Sequence, residues 1–376
     1  MKLVFASDSF KGSLSSARTA ELLTQAAGFV FGDCECVSAP MADGGEGTVD
    51  AVLAALCGKR ITVTVFDPLM RSTCASYGIL PDGHAVIEMA AASGLTLVEP
   101  DLRNPLMTST FGTGQLILAA LDQGCRNITV GLGGSATNDG GMGCIRALGG
   151  RFVDARGHEL RGCGRDLGEV SEIDMRGLDS RLGETSIAIM SDVTNPLCGP
   201  EGATYIYGRQ KGATSEMLEQ LERGMQSYSE VIRERFHIDC NNTPGAGAAG
   251  GLGAALMVFL GGRLQSGIEC LLDLIGFDSM LEGADLVVTG EGRADAQSSH
   301  GKTMQGVARR ATTKGIPVYA LVGSIGEGAE ALLDDGILSF FALQEDDMPL
   351  DYAMAHAEQL YADTAVRLFR SFRDAR

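Results

Sequence analysis

The chain has 376 residues, 45% of them hydrophobic, with 51 glycines and a formal net charge of −18. That length exceeds one compact core and suits two domains, and the apolar content is ample for globular folding. The charge argues against non-specific binding to nucleic acid or to an anionic membrane, so an anionic substrate needs local basic residues. Ten cysteines are scattered without a Cys-x-x-Cys pair, which reads as reduced, mostly buried thiols rather than a zinc clip. Residues 2–6 are too short an apolar run for a signal peptide. Residues 245–262 are uncharged but dominated by glycine and alanine, and read as a glycine loop with a buried helix rather than a membrane span. The expected location is cytoplasmic.

In chain order, residues 2–6 form a β-prone run followed by the polar loop Ser7-Asp8-Ser9-Phe10-Lys11-Gly12-Ser13. A helix is expected over 16–27, stopping at Gly28. A second strand over 36–39 runs into the loop 40–48, which contains Asp43, before a helix over 49–56. This β-loop-α-β-loop-α beginning is how a parallel sheet starts. From Arg60 the rhythm changes. Strands over 61–66, 73–79 and 84–89, separated by Asp-Pro and Asp-Gly turns, suggest antiparallel pairing, with Arg71 in the first connection. Residues 108–113 open a helix over 115–122, which offers an anion site at its start or ordinary N-capping by Thr113.

The stretch 131–143, Gly-Leu-Gly-Gly-Ser-Ala-Thr-Asn-Asp-Gly-Gly-Met-Gly, follows a strand over 127–130 and precedes a helix over 144–148. Glycines let a ligand approach closely, and free N–H groups at a helix start favour an anion, so this loop suggests a phosphorylated ligand. A strand over 185–190 then ends in Ser191-Asp192-Val193-Thr194-Asn195-Pro196. Met217, Leu221, Met225, Tyr228 and Ile232 fall at helical spacing and read as a core-facing stripe. The αβ rhythm returns with a strand over 285–289 and the loop Gly290-Glu291-Gly292-Arg293-Ala294-Asp295. Two further strands, 316–322 and 338–343, and a polar helix from about 352 close the chain. Two βα-rich ends around a different middle suggest one discontinuous α/β domain, 1–60 with 284–376. A second domain, 61–283, is inserted into it, and the active site is expected in the cleft between them.

Asp8, Asp43, Asp192 and Glu291 each lie just beyond the carboxyl end of an expected strand, where open α/β sheets bind ligands. Clustered carboxylates without thiols or paired histidines suit Mg²⁺ better than zinc. With glycine-rich loops and Lys11 or Lys302 they point to phosphoryl transfer. Gly301-Lys302-Thr303 resembles the end of a P-loop, but Ala296 stands where its first glycine belongs, so a Walker site is rejected. Gly131-x-Gly133-x-x-Ala136 offers a dinucleotide fingerprint, against which the following Asn-Asp-Gly-Gly run speaks. The residues thus assign Asp192, Asp43, Lys11 and Asp8 to catalysis, with Asp192 as the favoured base. Arg71, Ser9, Asn138 and Asp139 are assigned to the substrate. Gly133, Gly134, Ser135, Thr137, Gly290, Gly292 and Lys302 are assigned to the nucleotide phosphates, and Asp192, Glu291 and Asp295 to the metal.

The loop from Asp8 to Ser13, residues 40–48, 133–141 and 191–196, and residues 290–297 with Gly301-Lys302 resemble the successive motifs of the bacterial glycerate kinase family. The resemblance runs from residue 1 past Gly323. It departs from the family pattern at Ser7, where proline is common, and at Gln115, where an acid is common. It implies ATP-dependent phosphorylation of D-glycerate with Mg²⁺, giving 2-phosphoglycerate. It also implies a flavodoxin-like parallel-sheet domain built from both chain ends, with a second α/β domain inserted. The alternatives are a glycerate 3-kinase giving 3-phosphoglycerate, a nicotinamide-dependent hydroxy-acid oxidoreductase using residues 131–136, and a non-enzymatic anion receptor. The strand-end acids favour the kinase. The partners expected are ATP and D-glycerate, without nucleic acid or membrane; a homodimer is left open.

Overall fold

The computed structural model describes residues 1–10, 12–41, 47–299, 303–344 and 348–376. Lys11, Asp43 and Lys302 lie outside the described residues. The chain divides into two compact units. Met1–Asp43, Asp50–Leu56 and Ser266–Arg376 form the first, and Gly44–Val49 with Cys57–Gln265 form the second.

The first unit holds five parallel strands in the order Ile337–Ala342, Val318–Val322, Leu286–Gly290, Lys2–Ser7, Glu35–Ser38. Numbered along the chain within this sheet, the order is 2-1-3-4-5, that of flavodoxin-like doubly wound folds. The register sets Leu3 beside Leu286 and Ser7 beside Gly290, so the two ends of the sequence are neighbours. The central strands are buried along almost their whole length and largely apolar, with Lys2, Ser7 and Thr289 the polar exceptions, as burial on both faces demands. Leu3, Phe5, Val288 and Leu321 pack with Leu23 of helix Ser16–Phe31 and with Tyr361, Leu368 and Phe369 of helix Ala357–Asp374.

The Ser15 hydroxyl accepts the Arg18 N–H and starts the first helix. That helix runs one turn past its expected stop at Gly28. A mid-helix glycine costs about 1 kcal/mol relative to alanine, but Val30 and Phe31 beyond it pack against the core, and Gly32 at φ 74° caps the end instead. Helix Gly267–Leu274 belongs to this unit: Arg310 on helix Thr303–Thr313 reaches Glu269 and Asp273 at 2.6 Å and Asp278 at 3.2 Å. The division therefore falls at Ser266 rather than at residue 284.

The second unit holds six strands in the order Arg263–Gln265, Ser186–Met190, Asn127–Gly131, Ala85–Glu88, Ser72–Ile79, Lys59–Phe66. The first four are parallel and the last two join antiparallel, as the turn residues predict. Leu221, Met225, Tyr228 and Ile232 of helix Ser215–Phe236 are buried as expected; Met217 is half-buried and Leu218 takes the core position beside it. Helix Phe111–Asp122 begins four residues before its expected start, taking in Gly112 and Gly114. A Cβ at Gly112 would lie 2.0 Å from the Phe66 carbonyl oxygen, and one at Gly114 would lie 2.3 Å from that of Cys144. These glycines serve close packing rather than a ligand turn.

A buried polar cluster underlies the glycine-dense loop. Asp139 accepts from Thr110 N at 2.7 Å, Thr110 Oγ1 at 2.8 Å, Gly141 N at 3.1 Å and Gly143 N at 3.2 Å. Burial pushes its carboxyl up, and these donors oppose the shift. Lys211, 2% exposed, donates from Nζ to the Thr137 carbonyl oxygen at 2.7 Å. Burial pushes its ammonium down to about 7, with the charge of Asp139 opposing.

Between that value and the ordinary lysine range the unfolded chain holds a proton that the folded site has released. Stability should therefore rise with pH across this window, with the cost of burying the charge complete below it. Lys211→Met should lack that slope. The wild-type-minus-variant unfolding free energy is expected to climb by about 1.4 kcal/mol per pH unit between roughly pH 8 and 10, read from denaturant titrations at each pH. Parallel curves for the two proteins would show that Lys211 is not the titrating group.

Candidate active site

The order of the first sheet reverses between Lys2–Ser7 and Leu286–Gly290. Ligands of open α/β sheets bind outside the carboxyl ends of the strands at such a point. Asp8 and Glu291 are the first residues past those two ends. The Asp8 N–H donates to the Gly290 carbonyl at 2.8 Å and joins the loops, while Asp8 Oδ1 accepts from Ser9 N at 2.6 Å. Glu291 Oε1 accepts from the buried Ser298 hydroxyl, whose oxygen also receives the Asp295 N–H at 3.2 Å. The ribbon Arg293–Ala294 beside Ser324–Ile325 continues the same edge.

A cavity of about 620 Å³ opens there, lined by Asp8, Ser9, Glu291, Gly292 and Arg293 among others. Gly290 and Asp295 do not line it. Gly290 is buried in its strand, where a Cβ would lie 1.8 Å from the Leu321 carbonyl oxygen, so strand packing accounts for this glycine. The Asp295 carboxylate lies 3.5 Å from Arg293 Nε.

In the second unit the carboxyl ends of two adjacent parallel strands lead into Gly133-Gly134 and into Asp192. Gly133 is half-buried, and Gly134 and Asp192 are exposed. The loop after Asp192 is pinned by Asn195, which donates to the Glu201 carbonyl at 2.8 Å and accepts from Tyr207 OH at 2.7 Å, an anchor beyond Pro196.

The remainder of the expected phosphate loop differs from its reading in the sequence. Thr137, Asn138 and Asp139 are wholly buried and Ser135 is 9% exposed. Asn138 Nδ2 donates to Thr204 Oγ1 at 3.1 Å. The N–H groups of Gly141 and Gly143 already serve Asp139, so the anion at this helix start is the protein's own carboxylate. The same carboxylate engages Thr110 and fills the second expected anion site. The dinucleotide alternative loses its basis too, because the helix begins only at Met142 and is short.

Arg71 is not a spare cation. Its Nε donates to Asp67 at 2.6 Å, Nη1 lies 3.2 Å from Glu99 and Nη2 donates to the Leu97 carbonyl at 2.9 Å. Lys11, Asp43 and Lys302 are outside the described residues and their placement is not described. Sequence reasoning missed Ser298 and Lys211. A serine seven residues beyond its acid carries no spacing signal, and a lone lysine reads as surface by default.

The chain matches the Glycerate kinase family over residues 3–373. It is 45% identical over 366 residues to the glycerate kinase of Bacillus subtilis (strain 168), covering 97% of this chain and 96% of that one. It is 46% identical over 358 residues to the glycerate 2-kinase of Escherichia coli (strain K12), covering 95% and 94%. A crystal structure from Salmonella typhimurium LT2, described as a candidate glycerate kinase 2, matches with a TM-score of 0.91 at 42% identity, covering 100% of this chain and 99% of that one. Among the described residues no helix is long and apolar enough to cross a membrane. Agreement of this extent with named enzymes, along almost every residue, sets aside hydride transfer and simple anion capture: the chain belongs to the glycerate kinase family and is a kinase.

Proposed function

We propose that this kinase transfers the γ-phosphoryl group of ATP to the 2-hydroxyl of D-glycerate, yielding ADP and 2-phosphoglycerate. The observation that carries the reading is the pair Asp8 and Glu291 at the order reversal of a parallel sheet, opening on one cavity. Family membership supports ATP as donor. The name of the Escherichia coli relative, glycerate 2-kinase, supports the 2-position.

The cavity's donor set fits Mg²⁺. Among the described residues its lining has two carboxylates and hydroxyls including those of Ser9 and Ser324, with neither imidazole nor thiol. No group of three or more His, Cys, Asp or Glu among the described residues could hold a metal alone. That suits an ion usually held by one or two carboxylates together with substrate phosphates. Asp8 and Glu291 would hold it, and it would supply charge neutralisation at the phosphate oxygens. Ser298 fixes the Glu291 carboxylate. Asp192 accepts the proton of the glycerate 2-hydroxyl as that oxygen bonds to the γ-phosphorus and the bond to the bridging oxygen breaks.

Purified protein with ATP, Mg²⁺ and D-glycerate should yield ADP and a product whose phosphorus signal couples in NMR to the C2 proton. Coupling to the C3 methylene protons would assign the 3-phosphate instead. Removing a positioned general base costs about 10²–10⁴-fold in rate. Asp192→Asn should therefore lower kcat by that factor, with the KM for ATP changed by less than about threefold. Near-normal kcat in this variant would transfer the role to Asp8 or Asp43.

A further inference from the structure

The cavity of the first unit has two chemically distinct walls. One carries Asp8, Glu291 and Arg293. The other is built from Phe10 and Leu343, both buried, and from Leu350 and Met354 on helix Leu350–Ala355, which are 61% and 41% exposed. Met354 reaches back to the acid-bearing loop: a Cβ at Gly12 would meet its Cε at 3.0 Å. Two large exposed apolar side chains beside a charged floor need an explanation, because D-glycerate has hardly any apolar surface to cover them. The volume, about 620 Å³, falls in the range of sites for ligands much larger than a three-carbon acid.

We propose that this apolar wall is the adenosine subsite. The base and ribose of ATP lie against Leu343, Leu350 and Met354, and the phosphates extend toward Asp8 and Glu291. The inference rests on the kinase reading above and places the nucleotide's base in the first unit. It agrees with the buried state of Thr137, Asn138 and Asp139, which keeps those side chains away from the nucleotide phosphates. Contact through Leu350 and Met354 is apolar, so affinity at this wall comes from surface removed from water and is sensitive to a charge placed there.

The test is calorimetric titration of ADP with Mg²⁺ and without glycerate, together with separate KM values for ATP and D-glycerate. Met354→Glu and Leu350→Glu change exposed positions, and thermal melts confirm that they fold. Each should weaken ADP binding at least tenfold and raise the KM for ATP similarly, with the KM for glycerate within twofold of wild type. Met354→Leu, which keeps the apolar contact, should retain ADP affinity within threefold. Unchanged ADP affinity in both glutamate variants overturns the proposal, as does a rise confined to the KM for glycerate. Because ADP binding is read without turnover, wild-type protein that binds ADP at this wall yet never phosphorylates glycerate would sink the proposed reaction and leave the subsite standing.

Discussion

The parallel pairing of Lys2–Ser7 with Leu286–Gly290 is the constraint on which the first unit depends. The strand at the start of the chain lies between Glu35–Ser38 and a strand from the far end, so the sheet order must reverse beside it. The loops leaving the two central strands then begin side by side, and their first residues are carboxylates. The Asp8 N–H bonded to the Gly290 carbonyl extends the ladder one step into the loops and holds Asp8 at the edge where Glu291 emerges. Closing a contact between segments so far apart is affordable because loop-closure entropy grows only logarithmically with length. Most of the residues between them also fold on a core of their own.

The second unit shows how an anion-binding pattern can be satisfied from within. Gly143 is needed not for a ligand but for Asp139: a Cβ there would lie 2.9 Å from Asp139 Oδ2 and 2.1 Å from Ser109 Oγ. The acid approaches the helix start as a phosphate would, with Thr110 supplying two of its donors. Lys211 adds a further buried polar group to the same region, donating to the Thr137 carbonyl. A buried carboxylate needs this degree of hydrogen bonding, because desolvation otherwise neutralises it.

Charge is distributed in keeping with the acidic composition. Arg71 is committed to Asp67 and Glu99, and Arg310 to Glu269, Asp273 and Asp278. The exposed pairs among these contribute little to stability. They do withdraw guanidinium groups from any role as spare anion receptors. At the cavity of the first unit, Arg293 is a lining cation, 3.5 Å from Asp295.

Strand and helix positions were legible in the sequence because period and turn chemistry are local. The antiparallel run through Lys59–Phe66 and Ser72–Ile79 follows from its Asp-Pro turn, and the stripe through Leu221 and Ile232 follows from helical spacing. The positions of Asp8 and Glu291 just past their strands were legible for the same reason, since an acid directly after a β-run needs only the strand's end to be placed. The helix through Gly28 was not, because its continuation depends on apolar burial that a propensity cannot see. Nor were the roles of Gly112, Gly114 and Gly290, whose missing Cβ atoms answer to carbonyls of neighbouring elements. The sequence by itself determined which groups were at hand: glycines, strand-end acids and scattered cations. Only tertiary structure decided which were spent on the protein itself. Asp139 and Arg71 are held by partners within the second unit, and Asp8 and Glu291 line a cavity of the first, because burial and pairing depend on neighbours remote in the chain.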